Sequence, residues 1–281
     1  MAHFIASLQC ADQPGIIFAV AESVVRLGGN ILENDQFTDP VTGLFSMRTH
    51  LEADRSLPDV LQTLARDLER FEADLRVRDL AHPHRIVVMV SEYDHCLLDI
   101  LYRVDHGELP LEVVAIVSNH NTLAPVAAHH GVPFHHIPIS DDTREVAEQQ
   151  LRDLVVDLRV DLVVLARYMQ ILSPALCTDL AGRVINIHHS FLPGFKGARP
   201  YHQAHDRGVK IIGATAHFVT PDLDEGPIIE QDVARVTHAR SVADLVSTGR
   251  DIERRVLNRA LRLWAEDRVV LVGQRTVVFE Q

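Results

Sequence analysis

Residues 86–118 read IVVMVSEYDHCLLDILYRVDHGELPLEVVAIVS, and the side-chain pattern in this stretch decides the fold class. IVVMV (86–90) and VVAIV (113–117) are unbroken apolar runs, and LVVLA (162–166) is a third. A strand wet on one face alternates in polarity. A strand covered on both faces does not, so these runs predict a parallel sheet held between helices. Helices are predicted between them, at about 94–105, 122–130 and 143–157. Strands alternating with helices make an open, doubly wound α/β sheet of Rossmann type. Further strands are expected over 184–188, 213–218 and 228–232. Ser241 is placed to cap a long helix to about Trp264, with Val242, Leu245, Ile252, Val256 and Leu263 toward the core.

Upstream the pattern changes. In LFSMRTHL (44–51), Phe45, Met47, Thr49 and Leu51 share one face while Ser46, Arg48 and His50 share the other. This period of two predicts a sheet with unlike faces. A strand near His3–Cys10 precedes a helix from about Pro14 to Leu27, and Gly28-Gly29 ends that helix. A strand over 30–38 then turns through DPVTG into the strand from Leu44. A second helix, from Leu57-Pro58 to about Phe71, carries a stripe of Leu61, Leu64, Leu68 and Phe71. A last strand covers 74–80. The order is βαββαβ, a ferredoxin-like split βαβ unit. The expected organisation is a first domain at 1–80, a linker AHPHR at 81–85 and a second domain at 86–281.

Composition narrows the function. The chain has 281 residues, 47% hydrophobic and 23% charged, as a soluble globular protein does. Its formal charge of −12 speaks against a nucleic-acid or anionic-membrane partner, since both need clustered positive charge. No window suits a membrane span, and the start MAHFIASLQC lacks the basic then apolar order of a signal peptide. Cys10, Cys96 and Cys177 are odd in number and far apart, which points to a reducing compartment. The expected location is the cytoplasm.

The densest polar cluster is INIHHSFLPGFKGARPYHQA (185–204), at a predicted strand end where open α/β sheets bind ligands. Asn186 and His188 alternate along the strand, so both can point to one side. After the next strand, HFVTPDLDEGPII (217–229) holds Asp224 in a turn. An amide and an imidazolium can stabilise an oxyanion, and a carboxylate can move protons, which is a set for acyl chemistry. An Asn that shapes a turn beside a hydrogen-bonded His explains Asn-x-His equally well.

Those two motifs are what the chain shares with the folate-dependent formyltransferases, which it resembles. That family includes glycinamide ribonucleotide transformylase and methionyl-tRNA formyltransferase. The resemblance implies that Asn186, His188 and Asp224 are the catalytic set. ARYMQILSP (166–174) resembles the family's folate stretch, which implies a pteridine cleft lined by Tyr168, Met169, Ile171, Leu172 and Val219. At position 170 this chain has Gln where some members carry Arg. DQPGI (12–16) and GGNI (28–31), in the βαββαβ order, resemble an ACT domain, a small regulatory module. Asp12, Gly15, Gly29 and Asn30 then either form an amino-acid effector site or merely shape turns.

An ACT module followed by a formyltransferase-like domain, with no third domain predicted, resembles the formyltetrahydrofolate deformylases. HCLLDILYR (95–103) and the stretch 197–218 strengthen that match. The resemblance implies hydrolysis of 10-formyltetrahydrofolate to tetrahydrofolate and formate, feeding purine synthesis and balancing one-carbon pools. It implies no cofactor, a homo-oligomer, and glycine or methionine as effectors. The alternative is formyl transfer to a small amine. A phosphorylated acceptor fits poorly, because the turn SEYDHC (91–96) has no glycine and carries Glu92 and Asp94.

Other polar residues have bland readings. The pairs His129-His130, His135-His136 and His188-His189 come without HExxH or CxxC, so no metal is expected. Cys96 beside His95 reads as a small buried residue rather than a nucleophile. His217 either supports Asp224 or packs in its strand. Lys196, Arg199 and His202 either meet a folate glutamate tail or stay solvated.

Overall fold

A computed structural model describes residues 1–194 and 200–280. Its contacts fall into two compact units. The first is Met1–Pro83 together with Asp267–Val272 and the chain from Val277 on, and the second is His84–Glu266 with Gly273–Thr276.

The first unit runs β1 (Ala2–Ala11), α1 (Ile16–Arg26), β2 (Asn30–Thr38), β3 (Leu44–Ala53), α2 (Leu57–Leu68) and β4 (Asp74–Asp79). The sheet is antiparallel in the order β2-β3-β1-β4. This is the expected βαββαβ arrangement, and it is ACT-like. Phe4, Leu8, Phe45, Met47 and Leu51 from the sheet pack on Val20, Val24, Val60, Leu64 and Leu68 from the helices. The stripe on α2 starts at Val60 rather than the expected Leu61, which is 40% exposed. Ser56 and Asp59 form a capping box at the start of this helix.

The second unit begins with β5 (His84–Val90), α3 (His95–Asp105), β6 (Leu111–Ser118), α4 (Ala124–His129), β7 (Phe134–His136) and α5 (Arg144–Asp157). It continues with β8 (Leu162–Leu165), α6 (Pro174–Asp179), β9 (Val184–His188), α7 (Pro200–Asp206), β10 (Ile211–Phe218), β11 (Ile228–Arg235) and α8 (Val242–Ala265). The seven-stranded sheet has the order β11-β10-β9-β8-β5-β6-β7. The strands from β9 through β7 in this order are parallel neighbours, and β10 and β11 close one edge antiparallel. Ile86, Val87, Val88 and Val90 are 0% exposed, as a strand between two helix layers must be. Burying each contributes about 1.5–3 kcal/mol. From β5 the chain adds β6 and β7 on one side, then β8 and β9 on the other. The reversal opens a crevice at the C-terminal ends of β5 and β8.

Two boundaries differ from the sequence reading. The supposed linker 81–85 ends early, because His84 and Arg85 already belong to β5. Arg85 can start a buried strand because its Nη1 donates to both Glu112 oxygens, at 2.7 and 2.8 Å. The second domain was expected to run to residue 281, yet β12 (Val269–Val272) and most of the chain after it pack with the first unit. Arg268 is 2% exposed, and its Nη2 donates to Glu33 at 2.7 and 2.8 Å. A hairpin strand, β13 (Arg275–Val278), follows.

Among the described residues, no helix is long and apolar enough to cross a membrane. Cys10, Cys96 and Cys177 are buried free thiols.

Candidate active site

Strand β9 carries Asn186 and His188 two residues apart, and β10 lies antiparallel beside it with His217 opposite Asn186. Asn186 Nδ2 is 3.2 Å from His217 Nε2. His217 Nδ1 is 2.8 Å from the Phe218 carbonyl, which can only accept, so Nδ1 carries the hydrogen. Burial lowers the His217 pKa and keeps the ring neutral. Its Nε2 therefore accepts from the Asn186 amide, which holds a second hydrogen for a ligand in the cleft. Of the two readings left open for His217, the structure favours support.

After β10 the chain turns back through Asp224, whose φ of 57° is a left-handed conformation that Asp tolerates better than most. Gly226 makes the turn fit. A Cβ there would stand 1.7 Å from the Phe218 carbonyl oxygen. The turn brings Asp224 Oδ1 to 3.2 Å from His188 Nδ1 and 3.8 Å from His217 Nε2. Burial pushes the Asp224 carboxyl up, but the hydrogen bond from His188 outweighs it and leaves the pKa below its usual value. Asp224 is thus an anion at neutral pH. It holds His188 by Nδ1, while His188 Nε2 is buried with no hydrogen-bond partner among the described residues.

These three side chains border a cleft of about 250 Å³. Tyr168, Met169, Ile171, Leu172 and Val219 line the same cleft, as does Gln170. Tyr168 and Leu172 form its floor, buried, whereas Met169 and Ile171 are 49% and 60% exposed at its rim. The segment is tied to the crevice by Ser91 at the end of β5, whose Oγ accepts from Met169 N at 2.9 Å and donates to Asn119 at 2.7 Å. All eight residues expected in the catalytic set and pteridine cleft therefore converge.

The four effector candidates do not. Asp12 and Gly15 lie before α1, and Gly29 and Asn30 after it. Eleven helical residues span about 16 Å, so within one chain the pairs stand at opposite ends of a helix. Gly29 also has a packing reason, since a Cβ there would stand 2.6 Å from the Glu52 carbonyl oxygen. Lys196 and Arg199 fall outside the described residues, and His202 is exposed.

Sequence reasoning missed a polar cluster beside the cleft. Arg167 and His189 line it too, and behind them lies Glu253 of α8, 1% exposed. Glu253 accepts from Tyr201 Oη at 2.7 Å and from His95 Nε2 at 2.8 Å. Arg167 Nε is 3.5 Å from Glu253. Burial pushes Glu253 up, but His95, Arg167 and Tyr201 together leave it below its usual pKa. His189 is pushed down to about 3, first by burial and then by the Arg167 charge. A signal for Glu253 was available, because an acid at position 253 follows Ile252 and precedes Val256 on the apolar face of α8.

His95, Cys96 and Glu253 also place three candidate metal-ligand atoms within 4.8 Å of one another. The Glu253 oxygens already accept from Tyr201 and His95. Burial and the Glu253 charge push the Cys96 thiol well up, so it is a poor source of thiolate. The chemistry of the set fits a hydrogen-bonded cluster better than a metal centre.

A formyl transferase family model matches residues 84–261. A formyltetrahydrofolate deformylase from Mycobacterium bovis is 50% identical over 280 residues, covering 97% of this chain and 89% of that one. The Escherichia coli K12 protein of the same name is 43% identical over 271 residues, covering 96% and 95%. The chain belongs to the formyltetrahydrofolate deformylase family. A crystal structure of a family member from Pseudomonas syringae pv. tomato superposes with a TM-score of 0.96 at 43% identity, covering 100% of this chain and 95% of that one. The glycinamide ribonucleotide transformylase 1 of Symbiobacterium toebii superposes with a TM-score of 0.67 at 33% identity, over 72% of this chain and 97% of that one. Deformylases thus match the whole chain, and that transformylase matches a part of it.

Proposed function

We propose that this protein hydrolyses 10-formyltetrahydrofolate to tetrahydrofolate and formate. The observation that carries the reading is the convergence of Asn186, His188 and Asp224 on one cleft with a partly apolar wall. The pterin lies against Tyr168, Leu172 and Val219, with Met169 and Ile171 at the mouth. This places the formyl group against the polar trio.

Water then attacks the formyl carbon. The anionic Asp224 orients it and accepts its proton, or relays protons through it. As the C–O bond forms, the oxyanion accepts hydrogen bonds from Asn186 Nδ2 and from protonated His188 Nε2. The Asp224 charge on Nδ1 stabilises that imidazolium. The C–N10 bond breaks, N10 takes a proton, and formic acid leaves as formate after losing its own. Each oxyanion donor is worth about 2.7–4 kcal/mol in the transition state. The mechanism uses no resident metal or redox cofactor.

The acidic surface and the glycine-free turn at 91–96 favour water over a phosphorylated acceptor. The test is formate release from the formyl cofactor with no amine present. Asp224→Asn should lower it by roughly two orders of magnitude or more. Turnover of that variant at the parent rate would refute the assignment. Formylated amine as the product, with formate absent, would support the transferase alternative. Glycine and methionine are the effectors to titrate against the first unit. No heat of binding for either would leave that unit an assembly element, which fits the ACT-like sheet of a cytoplasmic homo-oligomer.

A further inference from the structure

The trio and the apolar slot account for only part of the cleft lining. Arg167 and His189 line the cleft as well, and Glu253, Tyr201 and His95 are linked to them. The His189 ring lies 5.1 Å from that of His188 and 6.2 Å from that of Tyr201. Tyr93 comes from the turn after β5 and His95 from the start of α3, at the switch point where an open α/β sheet offers its binding crevice. Here the chain's own side chains fill that ground.

The filling is dense and built at a cost. Arg167, Tyr201 and Glu253 are 9%, 6% and 1% exposed. Tyr201 lies so close to α8 that a Cβ on Gly249 would stand 2.1 Å from its ring. Arg167 sits at φ 67°, a conformation that favours glycine. Its guanidinium is 5.1 Å from the Tyr93 ring. Nε and Nη1 are buried without a hydrogen-bond partner among the described residues. A strained backbone and orphaned donors in one residue beside a reacting group are what a functional constraint leaves behind.

We infer that, with the pterin in the slot, a nucleophile approaches the formyl carbon past Arg167, and that Arg167, backed by Glu253, Tyr201 and His95, walls off this approach so that water can reach the carbon and an amine cannot. The inference rests on the hydrolytic reading above and makes Arg167 and Tyr201 the determinants of the acceptor. In hydrolysis, water oxygen bonds to the formyl carbon, the C–N10 bond breaks, N10 gains a proton and formate leaves. With the wall open, amine nitrogen forms the new bond instead. The same C–N10 bond breaks, the amine's proton goes to N10, and the products are N-formyl amine and tetrahydrofolate.

The experiment follows products from the formyl cofactor and the full-length protein, with glycinamide or hydroxylamine added at increasing concentration. The parent protein should yield formate alone, at a rate the amine does not change. Arg167→Gly suits its left-handed backbone and is the opening variant least prone to misfold, and Tyr201→Ala is the second. Each should yield formylated amine in proportion to amine concentration, with formate falling mole for mole. Glu253→Gln keeps the shape of the wall and should still form no formylated amine. Circular dichroism and thermal melting establish which variants are folded. A folded opening variant that gives only formate at every amine concentration overturns the inference, as does a parent protein that formylates either amine. A parent protein that releases no formate sinks the hydrolytic reading itself, which is a separate result.

Discussion

Asp224 reaches His188 only because the turn behind it has no side chain at position 226. Gly226→Ala drives a methyl group into the Phe218 carbonyl, 1.7 Å from an ideal Cβ, so the turn or the strand must move. The expected loss is about 3 kcal/mol of stability, the upper range for overpacking, together with most of the formate release. A thermal melt and the formate assay on one preparation check both. His189 makes a pH prediction. An unfolded histidine titrates near about 6.5, while His189 is pushed down to about 3. Between those values the unfolded chain binds a proton that the folded one does not. This contribution is therefore fully present above pH ~6.5 and is lost as pH falls toward ~3. His189→Gln removes it, so the gap between parent and variant should narrow on acidification by at most roughly 1.4 kcal/mol per pH unit. Urea unfolding at several pH values reads this, and a constant gap would contradict it. Asn186, His188 and Asp224 were legible because a strand and a turn keep them in short, dense motifs. Arg167 was not, and Glu253 showed only as an acid on an apolar helix face, because the partners Tyr201 and His95 come from two other elements.

At the scale of elements, the long apolar runs were read well. β5, β6 and β8 lie where unbroken Val, Ile and Leu predict them, since a strand buried on two faces has no polar phase to mistake. The elements missed were short. β7 is three residues at a sheet edge, and α6 has six, too few for a periodicity to register. Helix α8 was expected from Ser241, and its capping box is formed. Asp244 N donates to Ser241 Oγ at 3.2 Å, and Ser241 N donates to the Asp244 carboxylate at 2.9 Å. Ser241→Ala should cost about 1 kcal/mol. The cap lies three helical turns before Glu253, so formate release at a temperature well below melting should not change. A loss of activity larger than the loss of folded protein would mean that the helix start also holds the cluster at Glu253.

At the scale of the molecule, the sequence suggests two domains in simple succession, but the chain crosses back at its end. Nothing in residues 267–281 advertises this, because VVLV (269–272) is too short to assign to either sheet by pattern alone. What places it is charge. Arg268 enters the first unit and meets Glu33 at 2.7 Å and Asp35 at 3.4 Å. Arg48, 4% exposed, shares both carboxylates from the opposite strand, at 2.6 and 3.5 Å. Hydrogen bonding to Arg268 is the largest influence on Glu33 and, with Arg48, holds its pKa below the usual carboxylate range despite burial. Two buried cations and two acids make a network in which removal of one member strands the rest. Arg268→Ala leaves Glu33 and Asp35 with one guanidinium between them and opens the space the side chain filled. The expected cost is about 3 kcal/mol, the low end for breaking a buried pair, since the carboxylates are partly open to water. The loss belongs to the first unit, so hydrogen exchange should quicken in β2 and β3 while the amides of β5, β8 and β9 keep their protection. Equal loss of protection in both sheets would show that the two units unfold as one, and would assign Arg268 to the stability of the whole chain.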